Sequence, residues 1–188
     1  MKVAVLALQG AFAEHEQMLE SMGIEYMEIR QKKDAHQSFD ALILPGGEST
    51  VMGKLLRDLG LLPILKKKIE DGLPVLGTCA GLILLADNLS GGEMPHLATM
   101  PITVKRNAYG RQLCSFRTEA ELKGVGSVPM VFIRAPYIEK IGEEVEILAK
   151  VDGHIVAVRY KNQIGVSFHP ELADCSSIYQ MLLQSVTL

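Results

Sequence analysis

The sequence predicts an α/β fold, a mostly parallel sheet with helices on both faces and antiparallel hairpin strands in its second half. Three observations predict it. Short apolar runs alternate with helical segments through the first 86 residues, the rhythm of βαβ units. Those runs are continuous rather than alternating, as strands covered on both faces are. Farther on, Asp152-Gly153 separates two strand-like runs, a strong hairpin signal.

Lys2–Leu8 reads as the first strand. A helix over 13–22 follows, with Met18, Leu19 and Met22 on one face and Gly23 to end it. Glu25–Ile29 is a short second strand, and Ala41–Leu44 a third, cut off by Pro45-Gly46-Gly47. Ser49 or Thr50 can cap a helix running to Leu59, stopped by Gly60. Another helix spans 62–71. Pro74–Gly77 is a strand and Ala80–Ala86 a short apolar helix. Residues 88–129 are rich in Gly, Pro and polar residues and read as loops and short strands along the sheet's C-terminal edge. Met130–Ile133, 146–151, 155–160 and 164–168 read as strands, and 176–185 as a closing helix.

The 188 residues suit one domain spanning 1–188, and 48% hydrophobic composition supports a real core. The 19 basic against 22 acidic residues, without basic runs, argue against nucleic acid as the main partner. No apolar run approaches the ~18 residues of a membrane span, and the start reads as a strand rather than a signal peptide. Cys79, Cys114 and Cys175 are odd in number and lack C-x-x-C spacing. We expect a reduced, cytoplasmic protein with no disulfide framework and no zinc site.

Cys79 lies in Gly77-Thr78-Cys79-Ala80-Gly81, between an apolar strand and an apolar helix. A nucleophile here protrudes from a tight turn whose crowding the glycines relieve, and a helix N-terminus favours thiolate. Cys114 and Cys175 read as structural. Among the histidines, His15, His36 and His154 read as solvent-facing, on a helix, in a polar loop and beside the hairpin; His96 has no obvious partner. His169 ends an apolar strand and is followed by Pro170-Glu171. In extended chain, positions i and i+2 share a side, so Glu171 can fix the tautomer of His169. The α/β-hydrolase order would instead need an acid before His169, with Asp152 available; the adjacent Glu171 is more economical. Pro45-Gly46-Gly47-Glu48-Ser49 falls at the same sheet edge, where α/β proteins bind ligands, and its glycines can present N–H groups to an oxyanion.

Gly-Thr-Cys-Ala-Gly at 77–81, His-Pro-Glu at 169–171 and Pro-Gly-Gly-Glu-Ser at 45–49 together resemble the class I glutamine amidotransferases. Leu8-Gln9-Gly10-Ala11 with Glu14-His15, the 106–112 segment from Arg106 to Gln112, and Phe132-Ile133-Arg134-Ala135-Pro136 resemble their branch of glutaminase subunits of pyridoxal 5′-phosphate synthase. The resemblance covers essentially the whole chain. It implies a flavodoxin-like sheet and hydrolysis of L-glutamine to L-glutamate and ammonia through a γ-glutamyl thioester. It implies Cys79, His169 and Glu171 as the triad and the N–H groups of Gly47 and Ala80 as the oxyanion hole. Gly47, Glu48, Ser49, Arg106, Ile133 and Arg134 would contact glutamine, and Gln9-Gly10 would help set the oxyanion loop when a partner docks. That partner is a (β/α)₈-barrel synthase subunit receiving the ammonia; no metal or organic cofactor is called for. A glutaminase serving another synthase, an esterase-like hydrolase and a non-catalytic binding module are the rival readings.

Overall fold

The computed structural model describes residues 1–106, 115–173 and 175–186. In chain order the elements are β1 (Lys2–Leu6), α1 (Phe12–Ser21), β2 (Glu25–Ile29), α2 (Lys32–Ala35), β3 (Ala41–Leu44), α3 (Ser49–Asp58), α4 (Leu62–Glu70), β4 (Val75–Thr78), α5 (Ala80–Leu85), β5 (Ala86–Leu89), β6 (Met100–Lys105), β7 (Ser115–Leu122), β8 (Gly126–Ile133), β9 (Tyr137–Ile141), β10 (Glu146–Val151), β11 (His154–Tyr160), β12 (Gln163–Val166) and α6 (Ser176–Gln184). No helix among the described residues is long and apolar enough to cross a membrane.

The main sheet runs β2-β1-β3-β4-β12-β11-β9-β6-β5, with β10 paired to β11. The first five strands in that order are mutually parallel, and the sheet turns antiparallel from β11 to β6. The parallel part therefore has the 2-1-3-4-5 order of a flavodoxin-like sheet, with β12 as its fifth strand.

Burial on both faces explains the unbroken apolar strands. Ala4, Leu6, Leu42 and Leu44 point into one core with residues of α3, α4 and α5 such as Leu56, Leu65 and Leu82. Val3, Val5, Ala41 and Ile43 point into the other, with Leu19 of α1 and Tyr179 and Leu182 of α6. The hairpin at Asp152-Gly153 forms as expected. Val151 pairs with His154, and both turn residues have positive φ (49° and 80°), the signature of a type I′ turn.

The 88–129 region departs from the expectation of loops and short strands. It holds β6 and most of an eight-residue-per-strand ribbon, β7 and β8, paired in register from Ser115↔Ile133 to Leu122↔Gly126. Strand β8 thus begins before the expected Met130. Alternate residues of β7 are exposed, so Ser115, Arg117, Glu119 and Glu121 dilute the apolar signal. The 137–141 strand and the short α2 also lay below the threshold of apolar patterning. Residues 107–114, with most of the Arg106–Gln112 segment and Cys114, lie outside the described residues.

Candidate active site

The loops after β1, β3, β4 and β12 leave the same edge of four adjacent parallel strands. Cys79 follows β4 and precedes α5 with φ 49° and ψ −100°. A non-glycine residue in such backbone costs on the order of 1–3 kcal/mol and persists only where its surroundings fix it. Here the Cys79 N–H donates to the Val166 carbonyl of β12 at 2.8 Å. The flanking glycines let the turn close. A Cβ on Gly77 would stand 2.7 Å from the Gly81 carbonyl oxygen, and one on Gly81 only 2.0 Å from that of Leu44. The sulfur is nearly buried and lies 3.9 Å from the Ile133 carbonyl oxygen at the end of β8.

His169 leaves β12 across from this turn, its N–H donating to the Val131 carbonyl at 2.8 Å. Its Nδ1 is 2.7 Å from Glu171 Oε1. The expected extended His-Pro-Glu is not what makes that contact. Pro170–Leu172 form one 3₁₀ turn, closed by the Leu172 N–H on the His169 carbonyl at 3.2 Å. The proline's fixed φ suits the first position of such a turn, and the turn carries the carboxylate back to the ring. Burial disfavours charge on His169, but the hydrogen bonds and charges of Cys79 and Glu171 outweigh it and push its pKa up to about 10. Burial likewise works against the Glu171 carboxylate, yet the His169 hydrogen bond and the imidazoles of His15 and His169 hold it below the usual range. Glycine at 46 is required by the ring: a Cβ there would meet His169 Cε1 at 2.5 Å and Cys79 Cβ at 3.4 Å. Cys79, His169 and Glu171 are thus one contiguous group.

The Gly46-Gly47-Glu48 loop is gripped from the β1 side. The Ala11 N–H donates to the Gly46 carbonyl at 2.9 Å, and the Glu48 N–H to Gln9 Oε1 at 2.8 Å. Gly10 has φ 95°, and a Cβ on it would stand 1.9 Å from the Gly46 oxygen, so only glycine fits. Gly47 is exposed beside the cleft, and Ala80 opens α5, where helix N–H groups have no acceptor within the helix.

Comparison with known proteins places the chain in a family. The profile of the SNO glutamine amidotransferase family matches residues 5–188. The chain belongs to that family. It is 61% identical over 187 residues to "Pyridoxal 5′-phosphate synthase subunit PdxT" of Desulfitobacterium hafniense, covering 100% of this chain and 94% of that one. It is 55% identical to the protein of the same name from Streptococcus pneumoniae strain CGSP14, covering 98% and 96%. A solved structure described as a glutamine amidotransferase superposes with a TM-score of 0.93 at 43% identity, covering 99% of both chains.

Of the remaining expected contact residues, Arg106 meets the loop after β3, while Ile133 and Arg134 lie at the end of β8. Arg106 donates to Glu48 Oε1 at 2.9 Å, to Glu93 Oε2 at 2.6 Å and to Thr50 Oγ1 at 3.2 Å. Burial disfavours the Glu48 carboxylate, but its bonds to Thr50 and the Arg106 charge hold its pKa below the usual range. Ser49 is buried, with no hydrogen-bond partner on its Oγ. Ile133 offers its carbonyl to the sulfur, and Arg134, exposed with φ 46°, follows it at the rim. Among the described residues no group of three or more His, Cys, Asp or Glu side chains is placed to hold a metal.

The histidines bring corrections. His15 is fully buried rather than solvent-facing, with Nδ1 2.6 Å from the Tyr179 hydroxyl and Nε2 3.1 Å from Thr78 Oγ1. The signal was present: His15, Met18, Leu19 and Met22 share one helical face. A polar residue on that face was read by its chemistry instead of its position. His154 is half-buried, stacked on Tyr137 at 4.2 Å. His36 is exposed as expected. His96 has a partner after all, 3.3 Å from Arg57 Nη1. Cys175 is buried in the core, in keeping with a structural role.

Proposed function

We propose that the chain is the glutaminase subunit of a pyridoxal 5′-phosphate synthase, releasing ammonia from L-glutamine for a barrel-shaped partner subunit. The observation that carries this reading is the alignment of Cys79, His169 and Glu171 at the C-terminal ends of β4 and β12, beside a glycine loop held from β1. The names of relatives 61% and 55% identical, each a pyridoxal 5′-phosphate synthase subunit, support the synthase, and the sequence resemblance adds the barrel-shaped partner.

In this reading Cys79, as thiolate paired with the His169 imidazolium, attacks the side-chain amide carbon. With Nδ1 donating to Glu171, His169 turns Nε2 toward the sulfur and the leaving group. The oxyanion takes hydrogen bonds from the Gly47 and Ala80 N–H groups; loss of one such donor typically costs about 10²–10³ in rate. His169 passes its Nε2 proton to the amide nitrogen, the C–N bond breaks, and ammonia leaves a γ-glutamyl thioester. His169 then takes a proton from water, the hydroxide attacks the thioester, and glutamate departs with restoration of the thiolate and imidazolium. The role of Glu171 is to hold the ring and its positive charge.

Substrate recognition follows from the Arg106–Glu48 pair. A glutamine zwitterion separates it, placing the α-carboxylate on the guanidinium and the α-ammonium on Glu48. Gln9 and Ala11 brace the oxyanion loop, so a partner that touches the segment after β1 acts directly on the oxyanion site. This is the physical basis for a glutaminase that waits for its synthase, whose product would otherwise be lost to water as ammonium.

The test is glutamate release from glutamine with and without the barrel subunit. Release should rise strongly with the partner, and Cys79→Ala should lower it by more than about 10⁴-fold while leaving ammonia-driven synthesis by the complex intact. Undiminished release from Cys79→Ala would refute the proposal. So would release that is stimulated only by a synthase of another pathway.

A further inference from the structure

One buried titratable group within reach of the site has no part in the mechanism above. His15, on α1, lies behind Glu171 on the side away from His169. Its Nε2 is 3.6 Å from Glu171 Oε2, with both side chains wholly inaccessible. That carboxylate oxygen has no hydrogen-bond partner, while Oε1 is engaged by His169. A buried carboxylate oxygen left without a donor is costly, and the nearest ring nitrogen is that of His15.

The buried carboxylate oxygen 3.6 Å from Nε2 repels a lone pair there and favours an N–H, which leaves Nδ1 as acceptor for the Tyr179 hydroxyl at 2.6 Å. Burial, reinforced by the Glu171 charge, pushes the Tyr179 pKa far up, so that hydroxyl keeps the proton it donates. Burial of His15 lowers its own pKa, outweighing the Glu171 charge and holding the ring neutral. A neutral ring accepting at Nδ1 carries its one N–H at Nε2. That N–H meets Thr78 Oγ1, on the residue before Cys79, at 3.1 Å, and Glu171 Oε2 lies 3.6 Å from the same nitrogen, within reach of its charge though past hydrogen-bond length. The titratable groups around His15 are Glu171 and His169 from the loop after β12, Tyr179 from α6 and Glu14 on its own helix.

We propose that His15 is a positioning residue: its Nε2–H, oriented by Tyr179, steadies Glu171 Oε2 and so keeps Oε1 aligned on His169. The inference rests on the glutaminase reading. It makes the triad the exposed end of a buried line running from Tyr179 through His15 and Glu171 to His169 and Cys79. The same N–H ties that line to Thr78, so α1, α6 and the nucleophile turn are held in one register.

The test uses the chain in complex with its barrel subunit. His15→Leu removes the donor, His15→Gln returns an N–H close to the Nε2 position, and Tyr179→Phe removes the hydroxyl that sets the tautomer. We expect His15→Leu to lower kcat for glutamate release by about tenfold or more, the usual scale for a residue that supports an active-site ligand. KM for glutamine should be unchanged, His15→Gln should recover much of the loss, and Tyr179→Phe should fall between. The His169 ring, followed by NMR with labelled histidine, should titrate at lower pH in His15→Leu and recover in His15→Gln. Unchanged kcat in His15→Leu overturns the proposal. Equal losses in the Leu and Gln variants with an unmoved His169 titration also overturn it, since that marks a packing role alone. Should His15→Leu not fold, Tyr179→Phe decides: a several-fold fall in kcat with a shifted His169 titration supports the line, and wild-type behaviour breaks it. Absence of glutamate release from the wild-type complex would instead overturn the glutaminase reading, while the His169 titration would still report on the His15 contact.

Discussion

At the scale of single residues, the site is a set of opposed effects whose balance is decided by neighbours. His169 is nearly buried, which disfavours its charged form, yet Cys79 and Glu171 push its pKa up to about 10. The sign of the consequence follows from linkage. A group whose folded pKa is raised stabilises the fold fully below its unfolded value, about 6.5 for histidine, and that contribution is lost as pH rises through about 10. Thermal unfolding should therefore show wild type more stable than His169→Asn at about pH 6, with the difference shrinking by about pH 10.5. Removing the sulfur partner in Cys79→Ala should lower the His169 titration toward the ordinary histidine range, seen by NMR. Arg106 is a sharper case of competition. It is bound to Glu48, Glu93 and Thr50, and in the proposed recognition it would exchange one of these carboxylates for that of glutamine. Arg106→Lys keeps the charge but loses the two-pronged geometry, so KM for glutamine should rise with kcat less affected, measured by steady-state glutamate release. The residues of this site were legible because their chemistry is local: a cysteine between glycines after an apolar strand, and a glutamate two places from a histidine. The burial of His15 was legible from its helical face, but its partners were not, since Thr78 and Tyr179 are 63 and 164 residues away in the chain.

At the scale of elements, the Cys79 turn depends on how closely β3, β4, β12 and α5 approach. Gly77 and Gly165 are paired in register on β4 and β12, and α5 lies across them: a Cβ on Gly165 would meet Leu82 at 2.5 Å and one on Gly77 would meet Leu85 at 2.8 Å. Gly81 faces β3 backbone, which cannot give way as a flexible side chain can. Gly81→Ala should destabilise the fold by about 1–3 kcal/mol, the range for overpacking, and should lower activity by tilting α5 away from the Cys79 turn. Urea unfolding measures the first effect and glutamate release the second. The parallel strands were legible because burial on both faces leaves nothing but apolar residues in them. The β7–β8 ribbon was not, because one of its faces is solvated and the polar residues there break the apolar runs. The expected i, i+2 reach from His169 to Glu171 was right about the contact and wrong about the backbone, since Pro170 starts a 3₁₀ turn instead of continuing a strand.

At the scale of the whole molecule, that ribbon is a wall of the site rather than a decoration. Phe132 stacks on Phe116 at 4.6 Å and meets Phe168 edge-on at 5.8 Å, joining the ribbon to the residue before His169. On either side of Phe132 in β8, the Val131 carbonyl accepts the His169 N–H and the Ile133 carbonyl faces the sulfur. Phe132→Ala should cost about 3–5 kcal/mol as a buried aromatic truncation and should also reduce glutamate release, because the wall that fixes His169 loosens; denaturant titration and turnover check the two together. The same arrangement shows why the family was easier to read than the details of the antiparallel strands. The motifs around Cys79, His169 and the glycine loop mark the parallel half, whereas the other half carries the 106 and 132–136 segments and otherwise supports the site through packing that no short motif encodes. The account depends most on covalent capture of the substrate by Cys79. Its most direct test is acid quenching of the working complex during glutamine turnover, followed by peptide mass spectrometry. A γ-glutamyl adduct on the peptide containing Cys79 is the expected result. Glutamate release without any such adduct, or with the adduct on another residue, would contradict it.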